Sequence, residues 1–572
     1  MLTEKVEGLS RVYALQNAVQ FNGKANTKAV IGKVIAALKN EGVKPGEIIK
    51  IVEQIVESIN NMTLDEQREM LQRLAPELMK KEKKERDYSL PSLPHAEKGR
   101  VITRFPPEPN GYLHIGHAKA AIIDHEYARL YDGVFILRFD DTNPENANLE
   151  FYDAQREDLH WLGLEWDKEY NTSDNIETHY KLALQLIEQG DAYICTCKPD
   201  RIKEYRFTGK NCDCRDKSPG EIKDKWRELI VSGEPEDGVL RLRGDMKSGN
   251  TAMRDPTLFR IVESEHPLKG TKYRMWPTYD FAGAVEDSLS GVTHPFRTKE
   301  YELRDEVYFY ILSLLNLRKP YLMEFARLSI EGMPVSKRRI KPLIDKGLVT
   351  GYDDVRLPTL RGLKRRGITP EAIKQFVFTQ GISKVESEVT FSLVESINKK
   401  ILDPVAKRFF FVPDPVKLVV NDMPNRVINL RFHPTVDLGE RSITVNNIFY
   451  IPRMDADKLR EGEVFRLKDL ANIKVLNKKT KEIKGEYAGD KLIHDTCKIQ
   501  WTTEKFIPLK IIVPGLLFIN DEYNPDSLHE INGYAEEEVK HLGDGEIVQF
   551  ERVGFVRIEH DKKGMIGILS HK

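Results

Sequence analysis

The stretch from Arg100 to Phe139 constrains this chain most. "RVITRF" is rich in the residue types of a strand. "PPEPNGYLHIGHAKAA" stiffens a turn with Pro106, Pro107 and Pro109 and then opens a helix, and "GVFILRF" is a second apolar strand. Strand, helix and strand in that order predict a parallel, doubly wound sheet whose ligands sit beyond the carboxyl ends of the strands. The helix starts with His114 and His117, three residues apart and so on one face, with Gly116 between them. A helix N-terminus adds unpaired N–H groups and the positive end of the macrodipole. Gly116, without a Cβ, would let a flat group approach the backbone. This combination suits a nucleotide whose α-phosphate is attacked. The imidazoles would donate to oxygens that gain charge, each well-placed donor contributing roughly 3 kcal/mol. A zinc pair would need a third ligand, and none is evident nearby. For a lone H-x-G-H the default is a core or capping role.

A chain of 572 residues exceeds one core, so several domains are expected. With 88 basic and 89 acidic residues the formal charge is −1, which excludes a bulk electrostatic pull on a polyanion and leaves only local basic surfaces. No apolar run reaches the roughly 18 residues of a membrane span, and "MLTEKVEGLS" lacks a secretory core, so a cytoplasmic protein without membrane contact is expected. Residues 1–82 read as a helical domain: "AVIGKVIAALKN" and "EIIKIVEQIVESI" carry apolar stripes, and Thr63 with Glu66 forms a capping box for a helix running to about Lys81. Residues 83–99, charged and then Ser/Pro-rich, read as a linker. The last 170 or so residues, 401–572, are short β-rich segments between Asn/Asp/Gly/Pro turns, an all-β pattern.

Cys195, Cys197, Cys212 and Cys214 form C-x-C-x14-C-x-C. Clustering of this kind argues against a disulfide scaffold and for a metal. Alternate strand residues share a face, so each pair would offer two thiolates to one tetrahedral zinc. Four protein ligands leave no open position, which makes such a metal structural. Reduced free thiols are the second reading.

The sixteen residues around the histidines are similar to the HIGH motif of class I aminoacyl-tRNA synthetases, in the form of the glutamyl/glutaminyl branch. "LRFDDTNPENA", "MRDPTLFRI", "WPTYDFAGAVEDSLSGVTHPFRTKE" and "RLSIEGMPVSKRRI" follow in family order, so the resemblance runs from Val101 to the end. It implies a multidomain fold: a Rossmann-like catalytic core in halves 100–194 and 276–320, split by an acceptor-end insertion over 195–275. A loop and helical stem-contact region over 321–400 and anticodon-binding β-barrels over 401–572 would follow. It implies ATP with Mg²⁺ as substrate, tRNA and L-glutamate as partners, and a monomer. His114, His117 and Lys337 would be catalytic, with Ser336 beside Lys337 in the KMSKS-type loop, where Met333-Pro334-Val335 and Arg338 depart from the motif. Pro107, Glu108, Asn110, Gly111 and Gly116 would line the ATP site.

The amino acid is chosen between glutamate and glutamine. A carboxylate in a shielded site calls for a fixed guanidinium. Arg297 stands where glutaminyl enzymes carry a small uncharged residue, and Arg104 matches a second arginine at that carboxylate. Pro106 and Glu108 also border the amino acid, Asp140 would hold its ammonium, and Tyr279 adds a hydroxyl. Two arginines around an amide would leave buried charge unpaired, so the pattern favours glutamate, with a glutaminyl enzyme as the alternative. The β-rich C-terminal region, where bacterial glutamyl enzymes have helices, and the short N-terminal bundle resemble the archaeal type. Arg297 pairing with Glu300 or Glu302 on the surface is the competing reading. Basic runs support an RNA partner: eight Lys/Arg against three Asp/Glu between Arg318 and Lys346, and six against one in "RLPTLRGLKRRGITPEAIK". A small-molecule adenylyltransferase would not need the β-rich region, and a non-catalytic paralogue would have lost His114, His117 or Lys337. Whether one tRNA or two are glutamylated stays open.

Overall fold

The computed structural model describes residues 2–20, 23–38, 45–75, 90–386, 388–562 and 564–572. The chain divides into two compact units, Met1–Asp87 and Tyr88–Lys572. Among its described residues the first holds four helices, α1 (Leu2–Gln20), α2 (Thr27–Ala37), α3 (Pro45–Asn60) and α4 (Leu64–Leu74). The Thr63/Glu66 capping box opens α4 as expected. The expected run of this helix to Lys81, and the start of the linker, lie outside the described residues. Val30, Val34, Val52, Val56 and Leu71 form the unit's core with Leu15 of α1.

In the second unit β1 (Ile102–Phe105), α5 (Ile115–Leu130) and β2 (Val134–Phe139) make the expected strand–helix–strand, and β3 (Lys168–Asn171) joins β2 after α6 (Leu149–Trp161). The three strands are parallel in the order β1-β2-β3. After α7 (Ile176–Gln189) the chain builds an antiparallel sheet of β4 (Ala192–Cys195), β5 (Val239–Leu242), β6 (Thr257–Ile261) and β7 (Met275–Pro277). Helices α8 (Pro199–Thr208) and α9 (Pro219–Ser232) fall within it. The insertion limits expected at 195 and 275 therefore fall inside hydrogen-bonded strands. Composition does not register which sheet completes a strand's ladder.

Beyond α10 (Tyr279–Leu289), β8 (Phe296–Thr298) pairs in parallel with β9 (Met323–Phe325) on the far side of α11 (Asp305–Leu314). Thr293 N–H donates to Ile102 O at 2.8 Å, which brings the segment leading into this pair beside β1. Helices α12 (Lys337–Asp345), α13 (Leu360–Arg366), α14 (Pro370–Gln380) and α15 (Ser392–Leu402) follow. Leu360, Leu363, Ile373 and Phe376 of α13 and α14 share one core with Leu113, Ile122, Phe135 and Leu137, so the helical region is built onto the catalytic sheet.

The C-terminal region holds two seven-stranded sheets. One has Arg408–Phe409 and Phe411–Pro413 as its two edge strands, and the other has Lys498–Ile499 and Thr502–Thr503. In each, both edges come from one short segment, so the sheet must curl round its core. Residues 415–503 lie between the two edge strands of one sheet and its remaining strands, so the second sheet is an insertion in the first. Among the described residues no helix is long and apolar enough to cross a membrane.

Candidate active site and metal centre

His114 is the N-cap of α5, in extended conformation. Its Nδ1 accepts from the backbone N–H groups of Gly116 at 3.1 Å and His117 at 3.3 Å, while His117 Nδ1 accepts from His114 N–H at 3.3 Å. Each ring thus spends Nδ1 as an acceptor, which places its proton on Nε2, the outward donor. The rings stack with centroids 3.7 Å apart. Capping and catalysis are therefore compatible: one nitrogen of His114 holds the helix and the other is available. Burial lowers the pKa of both rings. For His117, with the positive charge of Arg327 adding to burial, it falls to about 4. Near neutral pH both rings are uncharged.

Gly116 leaves the room that the His114 ring needs. A Cβ there would meet the His114 ring at 2.9 Å and Val335 Cγ1 at 3.6 Å. One flat group against its backbone is the protein's own imidazole. Val335 also brings the second motif to the first. The proline loop is pinned from three sides: Asp140 N–H to Pro107 O, Asn148 N–H to Pro109 O, and Gln155 Nε2 to the carbonyls of Glu108 and Gly111. Asn110 N–H closes the loop on Glu108 O, and Pro106 is half-buried at its start. Ile115 N–H reaches Pro358 O, tying the helix start to the segment before α13.

Ser336 is the N-cap of α12, and Lys337 is its first residue; the Lys337 side chain lies outside what is described. A cleft of ≈ 740 Å³ runs along this loop, lined by Arg327, Met333, Ser336, Arg339 and Phe518 among others. Arg327, which the sequence reading passed over in "RLSIEG", puts a cation beside both histidines.

The amino-acid pocket is a buried charge network. Arg104, 2% exposed, gives Nε and Nη2 to Asp287 (3.0 and 3.2 Å) and Nη1 to Phe296 O (2.8 Å). Arg138 bridges Asp287 (2.7 Å) and Asp140 (2.8 Å), and Thr172 donates to Asp140 at 2.9 Å. Arg104 and Asp140 are thus both held in place by partners within the protein. Asp287, a hub joining residues distant in sequence, carried no local signal.

Arg297 differs. It pairs with neither Glu300 nor Glu302 but with Asp305, at 3.2 Å. Its guanidinium lies 5.3–5.6 Å from the ring centres of Tyr279, Tyr301 and Tyr308, and its Nε is buried with no partner. A cation in a tyrosine cage with an unused donor is suited to an incoming anion. Tyr301 comes from the turn Lys299–Arg304 and Tyr308 from α11, and the sequence reading did not single them out.

The four clustered thiols converge. Their sulfurs lie within 4.8 Å of one another, with Cys195–Cys212 at 3.7 Å and Cys197–Cys214 at 3.9 Å. A tetrahedron with metal–sulfur bonds of about 2.3 Å has edges of about 3.8 Å, so the set fits one zinc-sized ion. The two-strand geometry expected for the pairs is not what brings them together. Cys195 ends β4, while Cys212 and Cys214 flank and enter a 3-10 turn, Asp213–Asp216.

The basic run near α13 contributes less free charge than its count suggests. Arg356 pairs with Asp354, Arg361 with Glu157, Arg365 with Glu559 and Arg366 with Glu395. These arginines tie the helical region to its neighbours.

Comparison with known proteins settles the family. Residues 100–404 match the catalytic domain of "tRNA synthetases class I (E and Q)", and residues 406–492 and 498–559 match two anti-codon binding domains of that family. The chain belongs to the class I glutamyl/glutaminyl tRNA synthetases. It is 42% identical over 573 residues to a glutamate–tRNA ligase of Nitrosopumilus maritimus (strain SCM1), covering all of both chains. It is 40% identical over 586 residues to that of Pyrococcus abyssi (strain GE5 / Orsay), covering 99% of this chain and all of the other. With the glutamate–tRNA ligase of Cenarchaeum symbiosum (strain A) the identity is 43%, covering 97% and 98%. The synthetase therefore has as full-length relatives enzymes named for glutamate.

Proposed function

We propose that this synthetase is a glutamate–tRNA ligase: glutamate attacks the α-phosphorus of ATP, pyrophosphate leaves, and the glutamyl group passes to the terminal ribose of tRNA. The full-length relatives support the substrate, and Arg297 is the observation that carries it into this chain. The guanidinium is buried, caged by three tyrosines, and holds an unused donor where the side-chain carboxylate would lie. The histidines donate Nε2–H to the α-phosphate oxygens as charge grows there, Arg327 adds positive field, and Lys337 follows the departing pyrophosphate. No covalent enzyme intermediate is needed, so positioning and charge stabilisation carry the rate. Tyr279 walls the pocket, and Arg104 with Asp140 sets its shape through Asp287 and Arg138. The glutaminyl alternative would place a neutral amide against the cage.

The two curled sheets would read the anticodon, and α13–α15 would face the stem. Zinc would occupy the four thiols and hold the insertion together. Purified protein should then carry one zinc per chain, and Cys212→Ser should lose both the metal and the thermal stability of the insertion. Full zinc content in that variant, measured by elemental analysis, would remove the assignment.

Charging of tRNA with labelled glutamate and labelled glutamine tests the pocket. Only glutamate should be attached. Arg297→Ala should raise the KM for glutamate by roughly 10²-fold, since it removes the cation from a buried charge pair. An unchanged KM would rule Arg297 out.

A further inference from the structure

Four arginines of the amino-acid pocket already have acids. Arg104 and Arg138 share Asp287, Arg138 also holds Asp140, Arg304 holds Asp280, and Arg297 holds Asp305. Directly across the β8–β9 pair from Arg297 stands Glu324, whose Oε2 takes Lys384 Nζ at 2.5 Å. The local group of Arg297, Asp305, Glu324 and Lys384 is thus neutral before any substrate arrives. A carboxylate docking on Arg297 adds one negative charge in a site walled by Tyr279, Tyr301 and Tyr308. Buried charge without a counter-charge is costly, and the cheapest remedy is a proton.

The geometry provides a place for that proton. The Asp305 carboxyl interacts with that of Glu324, and Glu324 Oε1 is buried with no hydrogen-bond partner. A protonated Asp305 would donate to that orphaned oxygen. We propose that Asp305 is a positioning residue for Arg297, and that it takes up one proton from solvent as the substrate's side-chain carboxylate docks, releasing the guanidinium from one acid to the other. The inference rests on the reading that Arg297 receives that carboxylate. The step is a protonation alone: solvent supplies H⁺ and the Asp305 carboxylate becomes a carboxylic acid hydrogen-bonded to Glu324.

The groups facing Asp305 are Arg297 from β8, Glu324 from β9, Lys384 from the segment after α14, Glu302 (acting through Lys384) from the turn Lys299–Arg304, and the tyrosines of the cage. Burial first, and Glu324 next to it, push Asp305 up to about 6 against the pull of Arg297 and Lys384. Free Asp305 is therefore largely ionised above that value, and docking must draw the proton from solvent.

The test is the KM for glutamate in tRNA charging from pH 5.5 to 8, for the unaltered enzyme, Asp305→Asn, Glu324→Gln and Arg297→Ala. The unaltered enzyme should show KM rising by up to about tenfold per pH unit above pH 6, the slope of one linked proton, with kcat not following it. Asp305→Asn keeps an acceptor for Arg297 and a permanent donor for Glu324. It should flatten the slope and have the lower KM at pH 8. Equal slopes in the two proteins would overturn the proposal, as would a slope lost in Glu324→Gln but kept in Asp305→Asn. An Arg297→Ala enzyme with unchanged KM would instead overturn the pocket reading beneath it.

Discussion

Replacing His117 with alanine should slow glutamyl-adenylate formation by about 10²–10³-fold and leave the KM for glutamate little changed, the loss expected for one transition-state donor. The ring is neutral, its proton is fixed on Nε2 by the Nδ1 contact with His114 N–H, and it stands at a helix start beside Arg327. Single-turnover pyrophosphate release in the presence of tRNA measures it. His114→Ala should fall by a similar factor and also lose the cap of α5. The double variant should fall by less than the product, because each ring orients the other. The pH dependence follows from the same contacts. With its folded value near 4, below the ordinary histidine range, the His117 ring stays neutral down to about pH 5. The unfolded chain binds that proton first as pH drops below about 6.5, so this histidine costs stability in acid and costs none above that range. A ring signal that titrates near 6.5 in the free enzyme, or a variant with undiminished adenylate formation, would contradict the assignment.

Asp287→Ala is expected to destabilise the Tyr88–Lys572 unit by about 3–5 kcal/mol, because it strands two buried guanidinium groups at once. Arg104 and Arg138 both lose their shared carboxylate, and Tyr308 loses the acceptor of its hydroxyl at 3.0 Å. Asp287→Asn keeps the shape and should fall between. Burial alone would raise the pKa of Asp287, yet Arg104 and Arg138 outweigh it and hold the carboxyl below its usual range. Its contribution is therefore complete above the ordinary carboxylate range and is lost as pH falls through the lowered value. Urea midpoints at pH 7 and at about pH 3, below the ordinary carboxylate value, measure both effects, and a variant as stable as the parent at pH 7 would show that the network carries no net stability.

Features encoded over a few neighbouring residues were legible in the sequence. The strand, proline turn and helix around His114 follow from local periodicity, and so does the Thr63 cap. The α1 helix was less visible because its buried face includes Ser10 and Asn17, which interrupt an apolar stripe. What lay beyond reach was pairing at a distance. Asp287 meets Arg104 and Arg138 across separations of 183 and 149 residues, and no local pattern marks such a partnership. The charge of the basic run around α13 is largely paired in the same way: Arg361, Arg365 and Arg366 meet acids of other elements, while Arg356 meets the nearby Asp354. The cysteines were legible as a set because their sulfurs need only converge, whatever backbone delivers them. Arg297 could be read as buried and anion-seeking from its register, but its true partner, Asp305, lies one helix start further on.

The nesting of one C-terminal sheet inside the other also orders how the region is made. The strands at 415–503 find all their partners within that span, so their sheet can close as soon as the span has left the ribosome. The edge at Arg408–Pro413 is synthesised earlier yet waits for strands from Phe506 onward. Until they arrive, Phe409 and Phe411 have no core to enter. Such non-local pairing is slow, and the waiting strands are the exposed edges of the nascent chain. The inserted sheet, once closed, holds the two ends of that wait close together and shortens the search.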